Sequence, residues 1–524
     1  MRIEHARYAT NGMVCSVDHL ASGAGIELLS KGGNAVDAAV GTSAVLAVTT
    51  QHMCGMGGDL WALVHVPGEP TPYALNASGW AGSGSDAAAL RAEGFEQMPF
   101  RGDLRSVPVP GCVDGWVALH DRFGRLPLAE VLEPARRLAD EGFPASPMLA
   151  RAAKQIADVD GAEDYTIDGQ VVRDGQVMTR KGLARSIAAI AAEGRAGWYE
   201  GEFGAGLIDK GAGLYDADDL GHIHAEWVEP IRVDVWGQQL WTAPPNSQGY
   251  LSLAAASIAS GLELPDDPDD PLFAHYLVEA SKQAGFDRND VLFDGADGAA
   301  LVDEDRLASR RTLISADRAG DVGPPTAGGG TIYLCTTDAD RMGVSLIQSN
   351  AAGFGSFLAV PGVGVFLHNR GIGFSVEAGH PAELTPGKRP PSTLAPALAT
   401  TPTGALRTVF GCMGGDAQPQ VVLQMAARRF VSDQKVGDLM TASRFALTVP
   451  AAQGFNTWSA AGRLIVAVEA GSPWLDGLRA RGHHVEERQW GDGLFGHAHM
   501  IDVVGDHFEG VADPRALTGA AIGR

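Results

Sequence analysis

Three glycines, Gly328, Gly329 and Gly330, run into Thr331, and a strand-like stretch from Thr331 to Asp338 follows without a turn. Glycine opens backbone conformations closed to other residues, so such a junction can bring a hydroxyl onto the carbonyl that precedes it. A chain that breaks itself between Gly330 and Thr331 exposes the α-amine of Thr331. That one residue then carries nucleophile and base together: the hydroxyl attacks, and an amine of ordinary pKa about 7.7–8.0 takes the proton. The competing reading of the same residues is a flexible linker before a plain threonine-rich strand.

The texture of the chain changes at this junction. Upstream, helical stretches dominate: Ser16 to Leu29, Asn34 to Val48 and Gly182 to Ala192. A strand pair at Ile231 to Trp236 and Gln239 to Thr242 then leads through Pro244-Pro245-Asn246 into an apolar helix around Leu251 to Ile258. Asp and Gly crowd Asp266 to Gly330, which reads as a linker. Downstream, Thr331 to Thr337, a turn at 338–343 and Val344 to Ser349 read as a hairpin that begins with the candidate nucleophile. Helices are expected at Pro419 to Phe430 and Val436 to Phe445, and strands at Arg463 to Glu469, His484 to Arg488, His497 to Val504 and His507 to Val511. Strands and helices in comparable amounts, with hairpins, argue for layered sheets covered by helices.

Composition excludes several functions. With 524 residues, 45% of them apolar, the chain can bury a large core. A net charge of −23, with no basic cluster to offset it, repels phosphate backbones and anionic lipid surfaces, so neither nucleic acid nor membrane is expected as a partner. The start Met1-Arg2-Ile3-Glu4-His5 has no apolar signal region, and the most apolar stretch, Ala35 to Thr50, is interrupted by Asp37. A cytoplasmic location is the expectation. Cys15, Cys54, Cys112, Cys335 and Cys412 are odd in number and widely spaced, which reads as buried reduced thiols.

Several ordered motifs together resemble the γ-glutamyltransferase family. They are Gly32-Gly33-Asn34-Ala35-Val36-Asp37-Ala38-Ala39, Gly55-Met56-Gly57-Gly58-Asp59, Val109-Pro110-Gly111, Thr331 to Asp338, Ser345 to Asn350 with Gly353-Phe354-Gly355, Pro386 to Thr393, Gly414-Gly415 and Ala512-Asp513-Pro514-Arg515. They span nearly the whole chain. The resemblance implies an N-terminal-nucleophile hydrolase: an αββα sandwich, made as a proenzyme and cleaved between Gly330 and Thr331. Residues 1–330 would form the large chain and 331–524 the small one, interlocked as one composite domain, a heterodimer that could pair into a heterotetramer. Thr331 would be protease first and hydrolase afterwards, through an acyl-enzyme resolved by water or by an acceptor amine. Ser349 falls where the family has a second threonine hydrogen-bonded to the nucleophile. Gly414 and Gly415 match a glycine pair whose amides form an oxyanion hole, and Ser392 and Thr393 match hydroxyls that hold a substrate α-carboxylate. Their plainer readings are a tight turn and capping hydroxyls.

The departures bear on substrate. Gly373 stands where γ-glutamyl enzymes have the aspartate that binds the α-ammonium, so Gly373→Asp is expected to improve any γ-glutamyl activity by restoring that partner. No basic residue occupies the early segment Asn76 to Ser85, where an arginine should pair with the α-carboxylate. A zwitterionic head desolvated without these partners would cost several kcal/mol. Glutathione is therefore expected to fit poorly. Arg370 offers a cation suited to a carboxylate-bearing acyl group, with a surface salt bridge as its alternative. Asn350 is a further substrate-binding candidate, displaced by one residue from the family's asparagine.

Other chemistries find little support. There is no Gly-x-Ser-x-Gly elbow. Gly491 to Gly496 matches a dinucleotide fingerprint by letter, yet it joins two strand-like segments. His222, His224 and Glu226 sit in a surface turn, and His483-His484, His497 and His499 read as sheet histidines. No metal and no cofactor is expected. The expectation is thus a self-processing Thr331 amidohydrolase or acyltransferase acting on a small carboxylate-bearing amide. The alternatives are a C–C bond hydrolase of secondary metabolism on the same scaffold and an unprocessed binding protein.

Overall fold

The computed structural model describes residues 5–321, 331–449 and 462–524. Gly330, with the rest of the glycine run, lies outside them. Fourteen strands concern the core: β1 (Arg7–Ala9), β2 (Gly12–Ser16), β3 (Asp59–His65), β4 (Tyr73–Ala77), β5 (Glu226–Val228), β6 (Ile231–Val235), β7 (Gln238–Thr242), β8 (Thr331–Asp338), β9 (Gly343–Ser349), β10 (Ala397–Thr400), β11 (Leu406–Met413), β12 (His497–Val504), β13 (His507–Ala512) and β14 (Ala520–Gly523). They form two seven-stranded sheets, β1-β13-β12-β11-β10-β7-β6 and β14-β2-β8-β9-β3-β4-β5. Each sheet takes strands from both sides of Thr331. The two parts of the chain therefore build one composite core.

Alternation along β8 places the layers. Ile332 and Leu334 pack into a cluster shared with the helices α1 (His19–Ser30) and α2 (Ala35–Thr49), whereas Tyr333 and Cys335 pack between the sheets with Trp61, Ile347, Val409 and Ile501. Burial on both faces explains why every residue of β8 is buried. The outer face of the other sheet is covered by α3 (Tyr250–Ser260), α4 (Pro271–Gly285) and α5 (Gln418–Phe430). The result is the αββα sandwich that the resemblance implies.

The Asn34 motif is a joint between layers. Asn34 caps α2 in a reciprocal box with Asp37, and Asp338 at the end of β8 accepts the Ala35 N–H at 2.9 Å. Helix and central strand are thereby fixed to each other.

Two expectations are corrected. Residues 266–311 are no linker: α4 is buried along Phe273 to Gly285, and the aspartates that suggested a loop cap helices, as Asp270, Asp297 and Asp303 do. The stretch Val436 to Phe445 divides into a helix, Val436–Thr441, and a strand, Phe445–Thr448. All five cysteines are buried and unbridged. Among the described residues, no helix is long and apolar enough to cross a membrane.

Candidate active site

The register of three neighbouring strands assembles the site. Thr331 on β8 stands opposite Ser349 on β9, and Ser349 stands opposite Asp59 on β3. Side chains two apart share a face, so these three join Tyr333, Ile347 and Trp61 in facing the space between the sheets. Thr331 Oγ1 lies 2.8 Å from Ser349 Oγ, and Ser349 Oγ also accepts the Ala351 N–H at 2.8 Å. Both residues are fully buried. Among the described residues, no imidazole or carboxylate bonds the Thr331 hydroxyl.

The facing sheet brings up a glycine turn. The Tyr333 ring fills the room a Cβ on Gly411 would need, while Leu406 and Val409 fill that of Gly343, which pairs with Thr337. β8 therefore crosses β11 in the opposite direction, and Thr331 comes over the end where β11 gives way to Gly414 and Gly415. These glycines take φ values of 146° and 56°, conformations a side chain disfavours, and lead straight into α5. Backbone amides at such a turn before a helix can stabilise negative charge. Gln248 ties this turn to the next wall: its Nε2 donates to Gly415 O and to Thr393 O, both at 3.0 Å.

Arg370 departs from both readings made of it. It is fully buried rather than on the surface, and its charge is already matched: Nε donates to Asp59 Oδ2 at 2.7 Å, Nη2 to Asp59 Oδ1 at 3.3 Å, and Nη1 to Thr393 Oγ1 at 2.9 Å. It braces Asp59 and the Thr393 loop against each other. Ser392 is equally buried, its hydroxyl accepting the Leu394 N–H at 3.3 Å and its backbone bonded to Asn246 and Gln248. Asn350 donates from Nδ2 to Gln51 O at 2.9 Å, so it ties the 51–58 loop to the end of β9.

Gly373 changes the account of the missing aspartate. A Cβ there would stand 2.4 Å from Pro391 O, so the backbone of the Ser392 loop occupies the place of any side chain. The expectation for Gly373→Asp is thus corrected: the loss of the ammonium partner is built into the packing.

Asp59 and Gln248 were not assigned roles from the sequence. Asp59 follows Gly57-Gly58 and opens the mostly apolar strand Asp59–His65, and a carboxylate starting a fully buried strand is the signal that it needs a cation.

The buried histidines near this end are neutral. Burial lowers His497 to about 4 and His499 and His52 to about 3. Behind them Asp513 and Arg515, from the closing motif, form a buried network with Glu469, and Asp513 accepts the N–H of Ala498, the second residue of β12. His224 is buried with its ring 3.1 Å from Asp219 O. His483 is no plain sheet histidine: with His275 and Glu279 it makes a buried group within metal-ligand reach. The Lys282 ammonium already donates to Glu279 at 2.7 Å, and Gly320 N also bonds Glu279, so this cluster pins the segment before the glycine run.

The sandwich, with a hydroxyl pair at the head of a central strand, is the architecture of the N-terminal-nucleophile hydrolases. The γ-glutamyltranspeptidase family model matches residues 21–523, and the chain belongs to that family. It is 34% identical to the glutathione hydrolase-like YwrD proenzyme of Bacillus subtilis, over 98% of both chains. It is 32% identical to the oxamate amidohydrolase proenzyme of Klebsiella pneumoniae, over 98% of this chain and 99% of that one. The crystal structure of cephalosporin acylase from Bacillus halodurans superposes with a TM-score of 0.90 at 32% identity, covering 100% of this chain and 98% of that one.

Proposed function

We propose that the chain is a self-processing amidohydrolase or acyltransferase whose nucleophile is Thr331. The Thr331 hydroxyl adds to the Gly330 carbonyl carbon, the Gly330–Thr331 C–N bond breaks and an ester forms. Water then hydrolyses the ester, leaving a Gly330 carboxylate and a free Thr331 amine on interlocked chains 1–330 and 331–524. In turnover the same oxygen attacks a substrate amide, the amine leaves with a proton delivered from Thr331, and water or a second amine takes the acyl group.

One observation carries this reading. The Thr331 hydroxyl is buried at the head of a central strand with the Ser349 hydroxyl 2.8 Å away and, among the described residues, no side-chain base upon it. The base then has to be the α-amine that cleavage itself creates. In that scheme Ser349 orients the Thr331 oxygen, and the Gly414 and Gly415 amides receive the oxyanion. Arg370, Thr393 and Ser392 hold the wall of the pocket. The packing at Gly373 disfavours a γ-glutamyl head, and the similarity to an oxamate amidohydrolase proenzyme fits a small amide of a carboxylic acid.

Incubation of purified protein followed by a denaturing gel tests this. Fragments corresponding to 1–330 and 331–524 are expected. Thr331→Ala abolishes them, and Ser349→Ala slows both cleavage and amide turnover on the order of 10-fold or more, as loss of a buried hydrogen bond to a reacting group does. Full-rate cleavage in Thr331→Ala would refute the reading.

A further inference from the structure

A cleft of about 630 Å³ opens beside the Ser392 loop, lined by Gly373, Phe374 and Pro391 together with Phe100, Arg288 and Leu292. It adjoins the site on two sides: Pro391 leads into Ser392 and Thr393, and Arg288 reaches Asp416, the residue after Gly415. The carboxylates at its margin, Glu96, Asp290 and Glu377, are exposed to solvent. Arg288 alone among the cleft's charged side chains is buried, at 5% exposure.

Arg288 is poorly satisfied for a buried guanidinium. Its Nη2 is 3.5 Å from Asp416 Oδ1, well beyond the 2.7–2.9 Å or so of a strong charge-assisted bond, and its Nε has no acceptor among the described residues. The neighbouring carboxylate, Asp287, is taken by Arg306 at 2.7 Å and Arg310 at 2.6 Å. A guanidinium carries five donors, and leaving them unmet away from water is costly. The lining mixes Phe100, Leu292 and Phe374 with polar side chains, and a carboxylate arriving through the cleft would meet guanidinium donors of Arg288 that Asp416 does not fill.

We infer that Arg288 is the specificity-determining residue that binds the carboxylate of the acyl donor, in place of the neutralised Arg370. This rests on the proposed amidohydrolase reading for its consequence in turnover, but binding itself needs no catalysis. The experiment therefore has two arms. In the first, titration calorimetry measures malonate, succinate and glutarate, with succinamide as the uncharged control, against the Thr331→Ala chain and the same chain carrying Arg288→Gln. At least one dicarboxylate binds the former on the order of 10- to 100-fold more tightly than the latter, and succinamide does not distinguish them. In the second, processed enzyme and its Arg288→Gln and Arg288→Lys forms are compared on succinamate and on succinamide. KM for succinamate rises by a similar factor in Arg288→Gln and by less in Arg288→Lys, and in both forms it rises by clearly more than KM for succinamide does.

Dicarboxylate binding in the first arm with no amide turnover in the second overturns the hydrolase reading and leaves the anion site standing. Equal losses on charged and uncharged ligands, absence of dicarboxylate binding, or unchanged binding in Arg288→Gln overturns the anion site. Should Arg288→Gln fail to fold, Arg288→Lys in the first arm decides: unaltered dicarboxylate affinity there contradicts a forked contact.

Discussion

Arg370 and Arg288 are both buried, both lie within one loop of the same site, and differ in what answers their charge. Arg370 has Asp59 at 2.7 Å and Thr393 at 2.9 Å, and it locks two walls together. Arg288 has one carboxylate at 3.5 Å and faces a cleft. The contrast teaches that burial alone does not say whether a cation builds the pocket or serves it. The spare donors do. A matched buried pair holds geometry at little net gain, because desolvation offsets attraction, whereas an unmatched cation invites an external partner.

The contrast breaks if the two arginines respond alike to removal. Arg370→Ala strands Asp59 in the interior and is expected to cost about 3–5 kcal/mol, read as a lowered urea midpoint, with much of the loss recovered in Arg370→Met combined with Asp59→Leu. Arg288→Gln should lower the midpoint by clearly less than Arg370→Ala does. Equal losses would mean that Arg288 is structural as well.

A middle-sized effect sharpens the picture of the wall between them. Gly373→Ala forces a methyl against Pro391 O and should cost about 1–3 kcal/mol in the same measurement. Gly373→Asp should lose stability too and gain no γ-glutamyl activity. A gain would show that the Ser392 loop yields easily.

The smallest effect concerns pH. His497, lowered to about 4, and His52 and His499, lowered to about 3, are neutral in the fold and take up protons near 6.5 when unfolded. The unfolded chain thus binds more protons between those values, so their contribution is intact above pH 6.5 or so and erodes as pH falls towards 4. Replacing His499 by Gln should flatten the fall of unfolding midpoint across that window. An unchanged slope would contradict the assignment.

Much of the fold was legible in the sequence because strand and helix periodicities are local. The hairpin from Thr331 to Ser349 and the helix after Asn34 needed only their own residues. The segment from Asp266 to Arg311 misled because Asp serves as helix cap and as loop residue alike, and composition does not separate the two uses. At the site, Thr331 could be read from the glycine junction and Ser349 from the family resemblance, and the hairpin register then pairs them across one turn. The partner of Arg370 could not: Asp59 lies 311 positions away, and the contact exists only because β3 pairs with β9. The same holds for Gly373, whose want of a side chain is explained by Pro391 O in the space a Cβ would need, a crowding that spacing alone does not reveal.

The central claim is that the Thr331 hydroxyl acquires its base through cleavage before it. Intact-mass and N-terminal sequencing of active, purified material tests it most directly. The account predicts a fragment that begins at Thr331 and activity that appears in step with it. An active chain left whole, or a small fragment beginning at any other residue, would contradict it.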